Sequence, residues 1–349
     1  MSRPTQTPTQ AWTICDKVRF LSDPQAYPHG PDEVQVTETH MAWVFLAGEL
    51  VFKLKKPVTY DFLDFGTLEK RKVAVHDEVR LNRRLAPDVY HDPRPLIEGR
   101  DGSLVLDGTG PVVDWLVVMR RLPEDSDLET MIAEDSLRPD HLAGVADRLL
   151  AFYQGLPAED ITPQDFADRF EKEHRITASV LTDPDFALDG SCLDAAIATF
   201  EARLEAVRPA LGRRVEKGWI VEGHGDLRPE HVFLTDPPVI IDCLEFNRRL
   251  RLVDPFDEIA FLGMEAAVLG AEEVFPTLAT RFMDALDDRP PAELLAFYWS
   301  YRALLRARLA LLHLAEPDPR TPEKWRPKAW RYIRIAESAD LMTRLPGGR

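Results

Sequence analysis

The sequence predicts an α+β protein with a small β-rich part followed by a larger helical part. From Val34 onward, apolar and polar residues alternate with a period of two, which is typical of half-buried strands. Beyond Pro123 the apolar residues recur at helical spacing. Late in the chain, two short apolar runs each lead into an aspartate, Asp226 and Asp242. The first two patterns predict the fold class, and the aspartates mark a candidate site.

The composition fits an ordinary globular protein, with 349 residues, 45% hydrophobic content and 29% charged content. This length allows two domains or two lobes, each with its own core. The net charge of −16 argues against a nucleic-acid or anionic-membrane partner, because such surfaces repel an acidic protein.

The cysteines and the apolar runs favour a cytoplasmic protein. Cys15, Cys192 and Cys243 form no C-x-x-C motif, so they indicate neither a zinc site nor a disulfide framework. Residues 1–11 lack the apolar core of a signal peptide. No run approaches the roughly 20 apolar residues that a membrane-spanning helix needs.

Residues 1–33 are predicted to be an N-terminal extension with one short helix or loop around Thr13–Ser22. The strands predicted next are Val34–Thr37, Trp43–Leu46 and Val51–Leu54. The turn after the first strand contains Thr39 but no G-x-G-x-x-G motif. Its backbone amides and the Thr39 hydroxyl could meet phosphate, and a plain hairpin turn fits equally well.

Lys53 and Lys55 share one face of the third strand, because side chains alternate along a strand. The following helix is predicted to start at the N-cap Thr67 and to end before Pro87. Glu78 falls within its apolar stripe, and an inward carboxylate is costly unless it is paired. We therefore favour an ion pair for Glu78, with an exposed stripe edge as the alternative.

Further elements follow from the same patterns. A hairpin is predicted around Asp101-Gly102. The remaining predicted strands and helices are Pro95–Glu98, Leu104–Leu106, Val112–Met119, Asp140–Leu156, Phe166–Leu181, Leu193–Leu211 and Pro291–Leu314. His174 is predicted to lie on the surface. Arg302 and Arg306, one helical turn apart, are predicted either to pair with loop carboxylates or contact substrate, or to be exposed.

The candidate site lies on three short predicted strands, Trp219–Val221, Val232–Leu234 and Val239–Ile241. Asp226 follows the first strand after a Gly-His-Gly turn, and Asp242 directly follows the third. Carboxylates at the exits of adjacent strands can converge to hold a divalent cation and orient a hydroxyl group.

The order His224-Gly225-Asp226-Leu227 and then Ile241-Asp242-Cys243 resembles the catalytic core of the aminoglycoside phosphotransferase family, distant relatives of protein kinases. The resemblance implies a bilobal, protein-kinase-like fold. A small β-rich N-lobe (residues 34–122) would meet a larger helical C-lobe (residues 123–349) across an ATP cleft. The implied reaction transfers the γ-phosphoryl group of ATP to a hydroxyl of a small molecule.

The segment from Glu38 to Leu85 resembles one branch of this family, whose members are often fused to a P-loop ATP-binding domain. No G-x-x-x-x-G-K-[ST] motif occurs in this sequence, so we expect that domain to be absent.

The resemblance also implies roles for individual residues. Asp226 would accept or orient the proton of the acceptor hydroxyl, and Asp242 would bind Mg²⁺, or Mn²⁺, at the nucleotide phosphates. Lys53 would hold the phosphates and pair with Glu78, with Lys55 as an alternative. The backbone around Met119, in the connector between the lobes, would meet adenine.

One residue departs from the family pattern, because His231 stands where the family has asparagine. Imidazole is a poor replacement for an amide oxygen on Mg²⁺. Glu230 or Glu245 could supply the missing oxygen, the metal preference could differ, or catalysis could be impaired. His224 and Arg228 are further supporting candidates in and beside this loop.

The sequence leaves other functions open. A pseudokinase that binds nucleotide or a protein partner is the main alternative, and a metal hydrolase using His224, His231 and Asp242 is a weaker one. Glu258 lies where the family has an aspartate that braces the catalytic loop. Aminoglycosides, sugars and amino alcohols all fit as acceptors, and the sequence does not define the oligomeric state.

Overall fold

The computed structural model describes residues 12–60, 63–188, 190–315 and 321–337. The predicted N-terminal tail, residues 1–11, lies outside this part of the chain. The described residues form two compact units. Unit 1 contains the chain up to Leu122 together with Glu245–Asn247, and unit 2 contains Pro123–Leu244 and the chain from Arg248 onward.

Unit 1 is built on an antiparallel sheet. Its strands are β1 (Val34–Glu38), β2 (Ala42–Ala47), β3 (Leu50–Lys55), β4 (Thr59–Tyr60), β5 (Leu63–Asp64), β6 (Arg94–Glu98), β7 (Leu104–Val105) and β8 (Val112–Arg120). Six of them form one sheet in the order β1-β2-β3-β8-β6-β7, and β4 pairs with β5 separately. Apolar side chains of β2, β3 and β8, including the fully buried Phe45 and Phe52, form the core of this unit.

Two helices complete unit 1, α1 (Ile14–Leu21) and α2 (Leu68–Asn82). As predicted, Thr67 caps α2 by accepting a hydrogen bond from the Lys70 N–H. A buried ion network ties both helices to β8, because Asp114 accepts from Lys17 at 2.7 Å and from Arg71 at 2.8 and 3.0 Å. A buried carboxylate needs such partners to offset its lost hydration.

Unit 2 is mostly helical. Its helices are α3 (Leu128–Ala133), α4 (Pro139–Gln154), α5 (Pro163–Leu181), α6 (Gly190–Glu216), α7 (Pro255–Val268), α8 (Val274–Leu286), α9 (Ala292–Leu312) and α10 (Trp325–Glu337). Four short strands, β9 (Val221–Glu222), β10 (Val232–Phe233), β11 (Val239–Ile240) and β12 (Leu252–Val253), form two antiparallel pairs, β9 with β12 and β10 with β11. Helix α9 packs against α5, α6, α7 and α10 and buries Tyr298 and Trp299.

The predicted α+β organisation agrees with these elements, and the differences are local. The strand predicted at Trp219–Val221 begins only at Val221, and β7 ends one residue early, at Val105. The prediction of a surface His174 is wrong. Its ring is 5% exposed and stacks on Phe200 at 4.5 Å, because α6 covers this face of α5.

Arg302 and Arg306 of α9 both pair with carboxylates, Arg302 in a buried and Arg306 in a half-buried position, so the alternative of surface exposure is wrong for both. Arg302 donates to both carboxylate oxygens of Asp257 at 2.8 Å, and Arg306 donates to Glu265 at 2.5 Å. Both acceptors lie on α7, so these ion pairs join α7 to α9 inside the helical core. Among the described helices, none is both long and apolar enough to cross a membrane.

Replacing Arg302 by Met should lower the free energy of unfolding by about 3–5 kcal/mol, because Asp257 would lose its main partner in a fully buried position. Urea denaturation checks this value. As a control, Arg281 makes an exposed ion pair with Asp147 at 2.6 Å, and Arg281→Met should cost about 0–1 kcal/mol. Equal costs for the two variants would contradict a structural role for the buried pair.

Candidate active site

Asp226 lies in a loop between β9 and β10 that requires glycine at Gly225. Gly225 has a φ of +89°, in the left-handed region that favours glycine. A Cβ atom there would lie 3.0 Å from Arg251 Cγ and 3.2 Å from Leu244 Cβ. The Gly-His-Gly turn therefore sets the path of the chain into Asp226.

The loop is braced by a fully buried carboxylate, that of Glu258 on α7. It accepts hydrogen bonds from the His224 N–H at 2.9 Å, from the Gly225 N–H and from the Tyr153 hydroxyl at 2.6 Å. Three donors offset the cost of burying this group. Glu258 thus makes the contacts of the predicted brace, with the family's aspartate replaced by a longer side chain.

His224 connects the loop to the end of β11. Its Nε2–H donates to the Ile241 carbonyl at 2.9 Å, and its Nδ1 accepts from the Asp226 N–H at 3.3 Å. Burial lowers the pKa of His224 to about 4, so the ring is neutral at pH 7. Both ring nitrogens are used by the backbone, which argues against the metal hydrolase that would need His224 as a ligand.

The carboxylate of Asp226 is accessible and lies beside a guanidinium group. Its side chain is 29% exposed, and Arg228 Nε lies 3.0 Å from its Oδ1. Burial alone would raise the pKa of Asp226, but the positive charge of Arg228, aided by that of Arg306, lowers it below the ordinary value. Asp226 is therefore ionised at neutral pH and can accept a proton or a hydrogen bond.

His231 spans the two aspartates. Its Nδ1–H donates to the backbone carbonyl of Asp226 at 2.8 Å, and its Nε2 accepts from Arg228 at 3.2 Å. The same Nε2 lies 3.7 Å from Oδ2 of Asp242. The imidazole thus fixes the backbone of the loop and brings a nitrogen lone pair close to Asp242.

Asp242 has an unusual backbone conformation, with a φ of +62° in the left-handed region. Its side chain is 42% exposed. In the described part of the chain, no group of three or more His, Cys, Asp or Glu side chains is arranged to hold a metal. A Mg²⁺ ion still fits this donor set, because it usually binds proteins through one or two carboxylates plus phosphate oxygens and water.

Unit 1 contains the predicted lysines and Glu78. Lys53 Nζ lies 3.3 Å from Glu78 Oε1, so the predicted pair is present. Lys55 is more buried and makes shorter contacts, to Glu78 at 2.6 Å and to Glu245 at 2.5 Å. Burial alone would lower the pKa of Lys55, but the two carboxylates raise it. Glu245 is predicted as a possible metal ligand, and its contact with Lys55 was not predicted.

The two other residues predicted to bind nucleotide have structural contacts. Thr39 closes the β1–β2 turn, because its hydroxyl donates to the Ala42 carbonyl at 2.9 Å and accepts from the Ala42 N–H at 3.0 Å. Met119 lies opposite Val51 in the β3–β8 register. The neighbouring Val118 carbonyl already accepts a hydrogen bond from the His91 N–H at 2.9 Å. The nucleotide contacts of Thr39 and Met119 stay predictions.

A cavity of about 420 Å³ in unit 2 was not predicted. Glu230 of the loop forms part of its lining. Arg228 donates a hydrogen bond to Glu230 Oε1 at 2.5 Å and also contacts the carboxylate of Asp226. The sequence does contain one signal for this cavity, a set of cations spaced four and three residues apart: Lys324, Lys328 and Arg331. Such spacing places side chains on one face of a helix.

Comparisons with known proteins identify the family. The sequence profile of the phosphotransferase enzyme family matches residues 47–295. The chain belongs to this family. Within it, uncharacterized proteins of Mycobacterium tuberculosis H37Rv and Mycobacterium bovis are 31% identical over 289 residues, which is 82% of this chain. The chain spans only 56% of the length of these two relatives.

Solved structures with a similar fold include two proteins that are named as kinases. A choline/ethanolamine kinase family protein from Mesorhizobium loti has a TM-score of 0.51 and 16% identity, covering 95% of this chain and 98% of that protein. A choline kinase from Cryptosporidium parvum has a TM-score of 0.52 and 11% identity, with the same coverage of 95% and 98%.

A third similar structure is a thermostable mutant of the aminoglycoside phosphotransferase APH(4)-Ia in a ternary complex with AMP-PNP and hygromycin B. It has a TM-score of 0.50 and 15% identity, covering 94% of this chain and all (100%) of that one. At such low identities these three likenesses concern the fold alone. They confirm the predicted kinase-like α+β fold.

The buried His224 should make the protein less stable as the pH falls. Its pKa is about 4 in the folded protein and close to 6.5 when unfolded, so the unfolded chain binds more protons between these values. The free energy of unfolding should fall by about 3 kcal/mol by pH 4. Urea denaturation across this pH range measures the change. His224→Gln should reduce the loss, whereas Gln at the exposed His76 should not. An unchanged pH profile in the His224 variant would contradict this assignment.

Proposed function

We propose that this chain transfers the γ-phosphoryl group of ATP to a hydroxyl group of a small molecule. The observation that carries the proposal is the braced loop, which presents an ionised Asp226 beside His231 and Asp242. Membership of the phosphotransferase family supports the transfer of a phosphoryl group. The AMP-PNP bound by APH(4)-Ia, an ATP analogue, supports a nucleotide as the donor.

In the proposed reaction Asp226 acts on the acceptor. Its carboxylate orients the hydroxyl group and takes its proton as the hydroxyl oxygen forms a bond to the γ-phosphorus. The bond from the γ-phosphorus to the bridging oxygen breaks, and ADP leaves with that electron pair. Arg228 supports this role because it keeps Asp226 ionised.

A divalent cation, Mg²⁺ or Mn²⁺, would neutralise charge on the phosphates when bound. Asp242 would hold it through the exposed carboxylate, and the nucleotide and water would supply most other ligands. His231 Nε2 lies 3.7 Å from Asp242 Oδ2 and is a second candidate ligand for the cation. In this structure Nε2 accepts a hydrogen bond from Arg228. Cation binding at His231 would require Arg228 to give up that hydrogen bond.

We further propose that Lys53 contacts the nucleotide phosphates. Lys53 and Lys55 lie on the same face of β3, and both contact Glu78. Lys55 lies within 2.6 Å of two carboxylates, those of Glu78 and Glu245, whereas the contact of Lys53 with Glu78 is 3.3 Å. The looser contact makes Lys53 the better candidate to exchange a carboxylate for a phosphate.

Replacing Asp226 by Asn should lower the rate of transfer by about 100-fold or more, because the amide cannot accept the proton. The rate is measured as ADP formation in a screen of hydroxylated metabolites and aminoglycosides. ATP at about 100 times its Kd should still stabilise the variant by about 2.7 kcal/mol, as it stabilises the parent protein. Asn at the exposed Asp147, which pairs with Arg281, is the matched control.

A folded Asp226→Asn variant with the full transfer rate would refute this role. The pseudokinase alternative makes a different prediction, because the parent protein would then bind nucleotide and phosphorylate no acceptor. His231 in place of asparagine is the residue that favours this alternative.

Replacing His231 by Asn should shift the preference toward Mg²⁺. The asparagine amide could donate to the Asp226 carbonyl, as Nδ1 now does, and leave its oxygen for the cation. The ratio of ATP affinities in Mg²⁺ and Mn²⁺, measured by calorimetry, should rise in favour of Mg²⁺. His231→Ala serves as a control that removes the hydrogen bond without adding an oxygen. An unchanged ratio would show that His231 does not lie at the cation.

A further inference from the structure

The cavity beside the loop is the strongest feature of unit 2 that the proposed reaction leaves unexplained. It has a volume of about 420 Å³ and is lined by residues of α3, α7, α9 and α10 and of the loop. Its charged lining residues are Glu129, Glu230, Glu265, Arg306, Lys324, Lys328 and Arg331. Such a concave site with polar groups is typical of a small-molecule pocket.

The cavity adjoins Asp226 through direct contacts within unit 2. Arg228 touches Asp226 at 3.0 Å and Glu230 at 2.5 Å, and Glu230 lines the cavity. Arg306 also lines it, and its positive charge contributes to the lowered pKa of Asp226. The cavity is therefore linked to the proposed catalytic carboxylate through Arg228 and Glu230.

Two of the three carboxylates already contact arginines. Glu230 pairs with Arg228 at 2.5 Å, and Glu265 pairs with Arg306 at 2.5 Å. Glu265 also accepts a hydrogen bond from the Tyr332 hydroxyl at 2.8 Å. Each of these carboxylates thus has a cationic neighbour, which weakens its attraction for a cationic ligand.

The remaining charges favour an anion. Beyond these two ion pairs, the lining carries three cations, Lys324, Lys328 and Arg331, and one carboxylate, Glu129. Burial, followed by repulsion from Glu230, raises the pKa of Glu129. In the part of the chain that the structure describes, no carboxylate forms an ion pair with Lys328 or Arg331.

The three cations form one stripe at the start of α10. Lys328 and Arg331 are three residues apart on the helix, and Lys324 lies four residues before Lys328, over the ring of Trp325 at 4.4 Å. A fully solvated helix face is the simpler explanation of such a stripe. It does not account for Lys328, whose half-buried position lowers its pKa, with Arg306 adding repulsion.

We propose that the phosphate acceptor carries an anionic group, a carboxylate or a phosphate, which binds Lys328 and Arg331 while its hydroxyl faces Asp226. This inference rests on the proposed function, since it names the class of acceptor for the same site. It replaces the aminoglycosides, sugars and amino alcohols that the sequence left open as acceptors with sugar phosphates and hydroxy acids. The similar structures are named for choline, ethanolamine and aminoglycosides, which carry amino or ammonium groups.

The test compares four hexose probes that differ in charge: glucose, glucosamine, gluconate and glucose 6-phosphate. Binding is measured by calorimetry without nucleotide, so that the result does not depend on transfer. At least one of the two anionic probes should bind more tightly than glucose and glucosamine. Gluconate and glucose 6-phosphate separate a carboxylate site from a phosphate site.

Replacing Lys328 or Arg331 by Gln should weaken binding of the preferred anionic probe about tenfold or more, because each change removes a charged hydrogen bond. Binding of glucose should not change. Arg334→Gln is the matched control, since Arg334 is an exposed cation on the same helix and does not line the cavity.

Tighter binding of glucosamine, no binding of either anionic probe at millimolar concentration, or equal losses in the Arg331 and Arg334 variants would overturn the inference. Its failure can be distinguished from failure of the proposed function through Asp226→Asn. If that variant transfers normally, the proposed catalytic role fails even where the anionic probes bind. If it loses transfer while the cationic probe is preferred, only the inference about the acceptor fails.

Discussion

The hydrogen bonds to the buried Glu258 carboxylate hold the candidate site in place. This carboxylate has no contact with water, so its three donors must stay in position to offset the cost of burying it. Two of those donors are the backbone N–H groups of His224 and Gly225, directly before Asp226. Because α7 carries Glu258 and is joined to α9 by the Arg302–Asp257 pair, the helical core fixes the backbone that presents Asp226.

Most of the fold could be predicted from the sequence because its signals are local. The alternation in β3 and the N-cap Thr67 of α2 each act within a few residues, and the structure contains both elements. The prediction was wrong, or left alternatives open, where a distant partner decides burial. His174 is covered by Phe200, and Arg302 is buried against Asp257, 45 residues away in the chain. Nothing near either residue in the sequence specifies these partners.

The candidate site was predictable as a set of residue types and not as a set of contacts. Strand-end positions and the family resemblance mark Asp226 and Asp242, and the resemblance adds the Lys53–Glu78 pair. Strand alternation cannot separate Lys53 from Lys55, because both side chains leave β3 on one face. Their different contacts depend on Glu245, which lies 190 residues from Lys55. The cavity was missed because four helices and the loop form it.

An asparagine side chain can fill two roles at position 231, a hydrogen bond to the loop backbone and an oxygen ligand for a cation, and His231 can fill only the first in the same way. An amide can donate from its nitrogen to the Asp226 carbonyl while its oxygen stays free for a hard cation. The imidazole keeps the first task through Nδ1, but its second atom is a nitrogen that accepts from Arg228 near Asp242. The backbone of the loop is thus preserved while the donor offered to a cation changes. Under the proposed function, loop geometry and cation choice would therefore be separable in this chain, and a well-formed loop would not by itself imply a preference for Mg²⁺.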